Sequence, residues 1–454
     1  RTLPPQTPSL NRSRLLPDPA MGVPTFGVRA AIHTAVMLYA CLGRAAVLHP
    51  IVLIPGNGGN QLEARLTPAY RPPNLACGRW YPPKKDRDGW FRLWFDASVV
   101  LAPFTDCFAH RMTLFYDSAA DDYRNALGVE TRAPDFGSTR SLLHLHPNLP
   151  RITAYMAELV KSLEQIGYVD GKTLFGAPYD FRYGLAAAGH PSQVGSRFLQ
   201  DLKQLIEDAV GSNGGKPVVL LSHSLGGLFS LQLLARNPPS WSRRFVEHWV
   251  ALSTPWGGTV QEMLTFASGN SLGVPLVRPL LVRAEQRSSE SNLWLLPSPA
   301  FFRGPLVTTP TSNYSAADMP RFLRDIGFPE GVRPYESRIR PLVGEELVTA
   351  AAPVVPMTCL VGSGVGTPER LVYGGGKGGF DGGPVEVEYG DGDGTVNMAS
   401  LMGAAALWGG GGGGVKVRRL PGVSHTAILR EAAAVAEITK EICEINDVVL
   451  TSHG

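Results

Sequence analysis

Acyl chemistry at a serine needs three groups. A hydroxyl attacks, an imidazole takes its proton, and a carboxylate holds that imidazole in one tautomer. The chain offers such a set in the order serine, acid, histidine. Ser224 lies in Ser222-His223-Ser224-Leu225-Gly226-Gly227, two acids in Gly390-Asp391-Gly392-Asp393-Gly394, and His425 in Gly422-Val423-Ser424-His425. Of the ten histidines, only His453 also follows those acids. Asp393 is the better acid: Gly392 and Gly394 free the backbone around it, and Val396 can anchor the turn. Asp391 is then a supporting or surface carboxylate. The Asp-Gly-Asp-Gly string lacks the spaced ligands and closing glutamate of a calcium-binding EF-hand. The reading implies no metal and no cofactor.

The elements that must position these groups are legible around them. Val218–Leu221 is an apolar, largely β-branched run, and Leu228, Leu231 and Leu234 recur beyond Ser224 at helical spacing, with Leu233 widening the stripe. A buried strand entering a helix through a tight turn is the setting of a nucleophile elbow. The usual Gly-x-Ser-x-Gly departs here only at Ser222, also small. The plain alternative is a Ser/Gly-rich turn with no chemistry. Upstream, Ile51–Ile54 reads as a strand that runs into Pro55-Gly56-Asn57-Gly58-Gly59-Asn60. In an esterase of this architecture that loop presents a backbone N–H to the developing oxyanion. Asn57 is the expected donor and Leu225 supplies the second. A phosphate-cradling loop would need a Lys-Ser/Thr pair or a third spaced glycine, which Gln61–Arg65 does not offer.

Between and beyond these, strand and helix alternate. The spacing predicts a helix over Ile152–Tyr168, its apolar face carrying Ile152, Tyr155, Met156, Leu159, Val160 and Leu163. It then predicts a strand over Asp170–Asp180, a helix over Phe198–Val210, and strands at Val246–Leu252, Pro356–Gly362 and Val415–Leu420. A closing helix runs to about Asn446. Thr259–Ala350 breaks the alternation and reads as a cap inserted over the site. Gly362–Gly383 reads as a flexible surface loop, and the six glycines Gly409–Gly414 as a low-complexity loop. The fold class is α/β, with a mostly parallel doubly wound sheet.

At 454 residues, 44% hydrophobic and 18% charged, the chain can bury a large core. A net charge of +3 is too mild to imply nucleic acid. Residues 1–20 read as a disordered extension. From Met21 a secretory signal can be drawn over 21–46, with Arg29 as positive flank, Ala30–Leu42 as apolar segment and Ala45-Ala46 as cleavage site. The five cysteines are Cys41, Cys77, Cys107, Cys359 and Cys443, and none is spaced as a zinc site. Spacing does not fix connectivity; in a secreted chain Cys77 and Cys107, closest in sequence, are the favoured pair. Between them and just around them crowd Trp80, Tyr81, Trp90, Phe91, Trp94, Phe95, Phe104 and Phe108. Such a stretch is either the core of an aromatic subdomain or an interfacial element for lipid headgroups, with Trp80, Trp90 and Trp94 as its lipid-binding residues.

With these residues collected, the chain resembles the lecithin–cholesterol acyltransferase family, which includes the lysosomal phospholipase A enzymes. The likeness runs from about His49 to His425. Its carriers are Ile54–Leu66, Leu93–Asp96 within the Cys77–Cys107 loop, Gly176–Arg182, Ser222–Gly227, Ser253–Gly258, Leu293–Pro299, Tyr389–Asn397 and Gly422–His425. The glycine-rich tracts point to a plant member. The resemblance implies an α/β-hydrolase fold with Ser224, Asp393 and His425 as triad, and Asn57 and Leu225 as oxyanion donors. It implies a core over 47–70, 118–258 and 351–446, a disulfide-closed membrane-binding subdomain over 71–117, and a cap over 259–350. The chemistry implied moves a fatty acyl chain from a phospholipid donor through an acyl-serine to a lipid alcohol of sterol type. Water as acceptor would make it a phospholipase A, and a silent lipid-binding protein on the same fold is the non-enzymatic alternative. The partner surface would be a membrane or lipoprotein-like particle, and the compartment the secretory pathway: extracellular, vacuolar or lysosomal, or the ER lumen. Two departures stand out. No cysteine follows Asp393 where some members pair one with the counterpart of Cys359. Asn57, with Gly58 behind it, replaces the side chains of animal members, which bears on acceptor preference rather than on a backbone hydrogen bond.

Overall fold

The computed structural model describes residues 48–75, 77, 85–96, 104–271, 278–350, 353–376, 379–409 and 414–447. The expectations for residues 1–20, the signal at 21–46, Trp80, Tyr81 and most of the six-glycine loop lie outside the described residues.

A six-stranded sheet forms the centre. Its strands in chain order are β1 (Ile51–Ile54), β2 (Leu174–Gly176), β3 (Val218–His223), β4 (Val246–Leu252), β5 (Met357–Ser363) and β6 (Val415–Pro421). Across the sheet they run β6-β5-β4-β3-β1-β2, and every adjacent pair is parallel. Successive strand residues face opposite sides of a sheet. Val52 and Ile54 accordingly join one buried cluster with Val218 and Leu220, while Ile51 and Leu53 join another with Val219 and Leu221. Helices α2 (Gln193–Ser212) and α3 (Leu225–Arg236) cover the first face. Helices α1 (Ala157–Gln165) and α6 (Ala432–Ile445) cover the second. A parallel sheet buried on both faces explains why its strands read as near-continuous apolar runs.

The chain leaves β1 for β2 on one side and then crosses to β3 on the other. Loops at such a reversal diverge and leave a crevice at the carboxyl ends of the strands. The loop after β1 and the turn after β3 both open there.

Three local expectations are corrected. Helix α1 begins at Ala157, not Ile152, and Ile152 is exposed. The backbone N–H groups of Tyr155 and Met156 donate to the carbonyls of Leu143 and Leu142, so these residues are fixed to a neighbouring segment instead of extending the helix. Of Asp170–Asp180 only Leu174–Gly176 is strand. Asp180 turns away to hold the buried Arg182 guanidinium, which donates to its two carboxylate oxygens at 2.8 and 2.6 Å. Within Gly362–Gly383, Thr367–Val372 forms a strand. That run contains no glycine, and it pairs parallel with Val307–Thr308 and antiparallel with Glu386–Gly390. With Asn313–Tyr314 these strands make a second, four-stranded sheet. It thus joins residues from the stretch between β4 and β5 to residues from the stretch between β5 and β6. The first of these stretches also carries α4 (Val260–Ser268) and α5 (Pro279–Ser288).

Cys77 and Cys107 are joined by a disulfide. Phe91–Trp94 pairs with Leu62–Leu66, and Phe104–Met112 is a helix. Cys359 is buried in β5 and forms no disulfide. No helix among the described residues is long and apolar enough to cross a membrane.

Candidate active site

Strand β3 ends at His223, and Ser224 follows at φ 54° and ψ −127°, between the strand and α3. A non-glycine residue at positive φ is strained, typically by about 1–3 kcal/mol, and persists only where its surroundings hold it. Two glycines permit the turn. A Cβ on Gly226 would lie 2.5 Å from the carbonyl oxygens of Ile54 and Pro55. One on Gly227 would lie 2.0 Å from Thr254 Oγ1. The turn is thereby pressed against the ends of β1 and β4. Ser222, the departure from the usual motif, accepts a hydrogen bond from Trp249 Nε1 at 2.8 Å, which ties β3 to β4.

His425 lies across from the turn, in the loop after β6. Its Nε2 is 2.9 Å from Ser224 Oγ and its Nδ1 is 2.7 Å from Asp393 Oδ2. The other carboxylate oxygen of Asp393 accepts from the N–H groups of Val396 at 2.8 Å and Thr395 at 3.1 Å. Burial raises the Asp393 carboxyl, but the adjacent His425 and the hydrogen bonds from His425, Val396 and Thr395 outweigh it. The acid is held below its ordinary value and stays ionised. Asp391 is exposed and accepts from the Gly364 N–H. Asp393 is therefore the acid brought to His425. It follows the strand Glu386–Gly390 of the second sheet, not a central strand.

Asn57 stands with Ser224 and His425 on one cavity. Leu225 opens α3, where a backbone N–H has no acceptor within the helix. The Asn57 side chain donates to Asn292 Oδ1 at 2.8 Å.

Two residues that the sequence reading left without a role complete the arrangement. The Gly56 N–H donates to Tyr155 Oη at 2.9 Å, and that oxygen lies 2.6 Å from His223 Nδ1. The His425 carbonyl, 2.9 Å from His223 Nε2, can only accept, so Nε2 carries the proton of the neutral ring. Nδ1 is left as an acceptor, and the Tyr155 hydroxyl donates to it. One chain of hydrogen bonds thus links the loop bearing Asn57 to the backbone of His425. The available signal was a histidine at the end of a strand whose other five residues are all apolar or small. Such a ring, once buried, requires partners.

Burial, with His425 nearby, lowers His223 to about 3. Unfolded, the ring would take up a proton near 6.5, whereas folded it stays neutral until about 3. The unfolded state binds more protons across that window, so stability falls as pH drops through it, by up to about 1.4 kcal/mol per unit. Urea titrations from pH 7 to 4 should show this slope and a shallower one in His223→Gln. Equal slopes would assign the acid lability to other groups.

The cavity has a volume of about 380 Å³. Trp94, Phe95, Phe108, Met112, Leu145 and Phe181 give it an apolar lining. Trp94 also donates from Nε1 to the Gly58 carbonyl at 2.8 Å, so it supports the loop after β1 from inside the molecule. Trp90 is half-buried between the Arg65 and Arg132 guanidiniums, 4.9 and 4.3 Å from its ring centre.

A strained serine between strand and helix, at the carboxyl ends of a parallel sheet, is the architecture of an α/β-hydrolase. Residues 90–329 match the family described as lecithin:cholesterol acyltransferase. The chain is 57% identical to "Lecithin-cholesterol acyltransferase-like 1" of Arabidopsis thaliana, covering 92% of this chain and 95% of the relative. It is 45% identical to the rice (Oryza sativa subsp. japonica) protein of the same name, covering 89% of each. It is 36% identical to "Lysosomal phospholipase A and acyltransferase" of the dog (Canis lupus familiaris), covering 86% of this chain and 90% of the relative. The chain belongs to the lecithin:cholesterol acyltransferase family and is an enzyme of its acyltransferase class.

Proposed function

We propose that Ser224, His425 and Asp393 are a catalytic triad that transfers a fatty acyl chain from a phospholipid to a lipid alcohol of sterol type. The observation that carries this is the hydrogen-bonded series Ser224 Oγ, His425 and Asp393 facing a cavity with an apolar lining. His425 Nε2 takes the Ser224 proton as Oγ bonds to the ester carbonyl carbon. The resulting oxyanion accepts from the backbone N–H groups of Asn57 and Leu225. The carbonyl re-forms, the ester C–O bond breaks, and His425 returns the proton to the departing lysophospholipid oxygen. An alcohol then gives its proton to His425 and attacks the acyl-serine carbonyl. Ser224 leaves with the proton restored.

Water in place of the alcohol releases fatty acid. The dog relative, named as both phospholipase A and acyltransferase, favours keeping this second reading. How well the cavity excludes water sets the balance.

The substrate is taken from a lipid surface approached by the 71–117 segment. Leu75, 92% exposed and two residues from disulfide-bonded Cys77, supports that approach. The disulfide and the lysosomal relative's name support a place in the secretory pathway.

Vesicles of phosphatidylcholine labelled in one acyl chain, with and without sterol, test the reading against Ser224→Ala. Label in steryl ester that the variant fails to make supports the transferase. Label only in free fatty acid makes the protein a phospholipase, and no turnover by the native protein sinks both.

A further inference from the structure

The cavity has a second lining that the acyl chemistry does not use. Helices α4 and α5 contribute Glu262 and Glu285, both less than a tenth exposed. Glu262 Oε1 is buried without a hydrogen-bond partner. A buried, unpaired carboxyl is costly, and proteins retain one where something else completes it. No lysine or arginine is among the described residues that line the cavity, and no charged neighbour offsets the burial of Glu262. For Glu285 the one offsetting charge is Arg182.

Resting on the phospholipid reading above, we propose that Glu262, with Glu285, forms the subsite for the ammonium group of the donor's headgroup, choline or ethanolamine. The cavity is continuous from Ser224 and His425 to both glutamates, so one molecule can reach from the reacting carbonyl to the acidic lining. An arriving cation sets a positive charge beside the Glu262 carboxyl and needs no hydrogen-bond donor to do so. An anionic headgroup would oppose ionisation of the two glutamates, and an uncharged one would do nothing to favour it. Burial pushes both carboxyls up to about 8, which leaves them poised to ionise when a cation enters.

The test uses non-hydrolysable diether lipids with identical chains, carrying choline or glycerol headgroups, dilute in uncharged detergent micelles. Binding is read from tryptophan fluorescence, since Trp94 lines the cavity. Native protein should bind the choline lipid about tenfold more tightly than the glycerol lipid, and Glu262→Gln should bring that ratio close to one. Glu285→Gln repeats the measurement should the first variant not fold. A ratio near one in the native protein, or one that both variants leave untouched, overturns the proposal. Because the ether lipids cannot turn over, acyl release from ester-linked phosphatidylcholine judges the catalytic reading separately. Choline-selective binding without acyl release would keep the subsite and sink the chemistry.

Discussion

Asp393→Asn should lower kcat by roughly 10³–10⁴ while Asp391→Asn changes it by less than about threefold. The two acids are two residues apart and carry the same charge, so the contrast isolates position. Asp393 accepts the Nδ1 proton of His425 at 2.7 Å, which leaves Nε2 free to accept from Ser224. An asparagine amide would donate toward Nδ1, favour the opposite tautomer and place a proton where the base must be empty. Asp391 is exposed and caps only the Gly364 amide. Turnover of a soluble ester, alongside fluorophosphonate labelling of Ser224, measures both variants. Equal losses would mean that the charge of the loop matters and not the contact with His425.

Tyr155→Phe should cost about 2–6 kcal/mol of stability and lower kcat by about 10- to 100-fold with a smaller change in KM. The hydroxyl is at once the acceptor for Gly56 and the donor to His223, and both groups are buried. Its removal orphans an amide and a ring nitrogen, each at about 1–3 kcal/mol. The kinetic part follows from what the orphaned groups hold. Gly56 precedes Asn57, and His223 anchors the carbonyl of His425. Loosening both ends displaces an oxyanion donor relative to the base, and such displacement is felt in kcat. Thermal denaturation and steady-state kinetics separate the two effects. A destabilised protein with unchanged kcat would make Tyr155 a purely structural residue.

Much of this protein was determined by its sequence alone. A parallel sheet is buried on both faces, so β1, β3, β4 and β5 appear as largely apolar runs that need no tertiary information to find. Ser224 was legible because an elbow demands small neighbours, and Gly226 and Gly227 lie where a Cβ would strike β1 or Thr254. His425 was legible from chain order. The preference for Asp393 over Asp391 rested on local backbone freedom and on Val396, whose N–H does cap the carboxylate. Where the sequence misled, a local pattern was overridden by a distant partner. The apolar period from Ile152 continued through residues whose amides are taken by Leu142 and Leu143. The strand Thr367–Val372 was hidden among glycines because its pairing partners lie at 307–308 and 386–390. Only the tertiary structure could decide that Tyr155 meets His223 across 68 positions, or that Trp94 lines the same cavity as Ser224. The same holds for Glu262, an unremarkable first-turn acid on an amphipathic helix until the fold closes around it and leaves one oxygen without a partner. Periodicity reports which face of an element is apolar. It carries no information about which polar groups the folded chain will bring together, because those contacts are set by long-range closure.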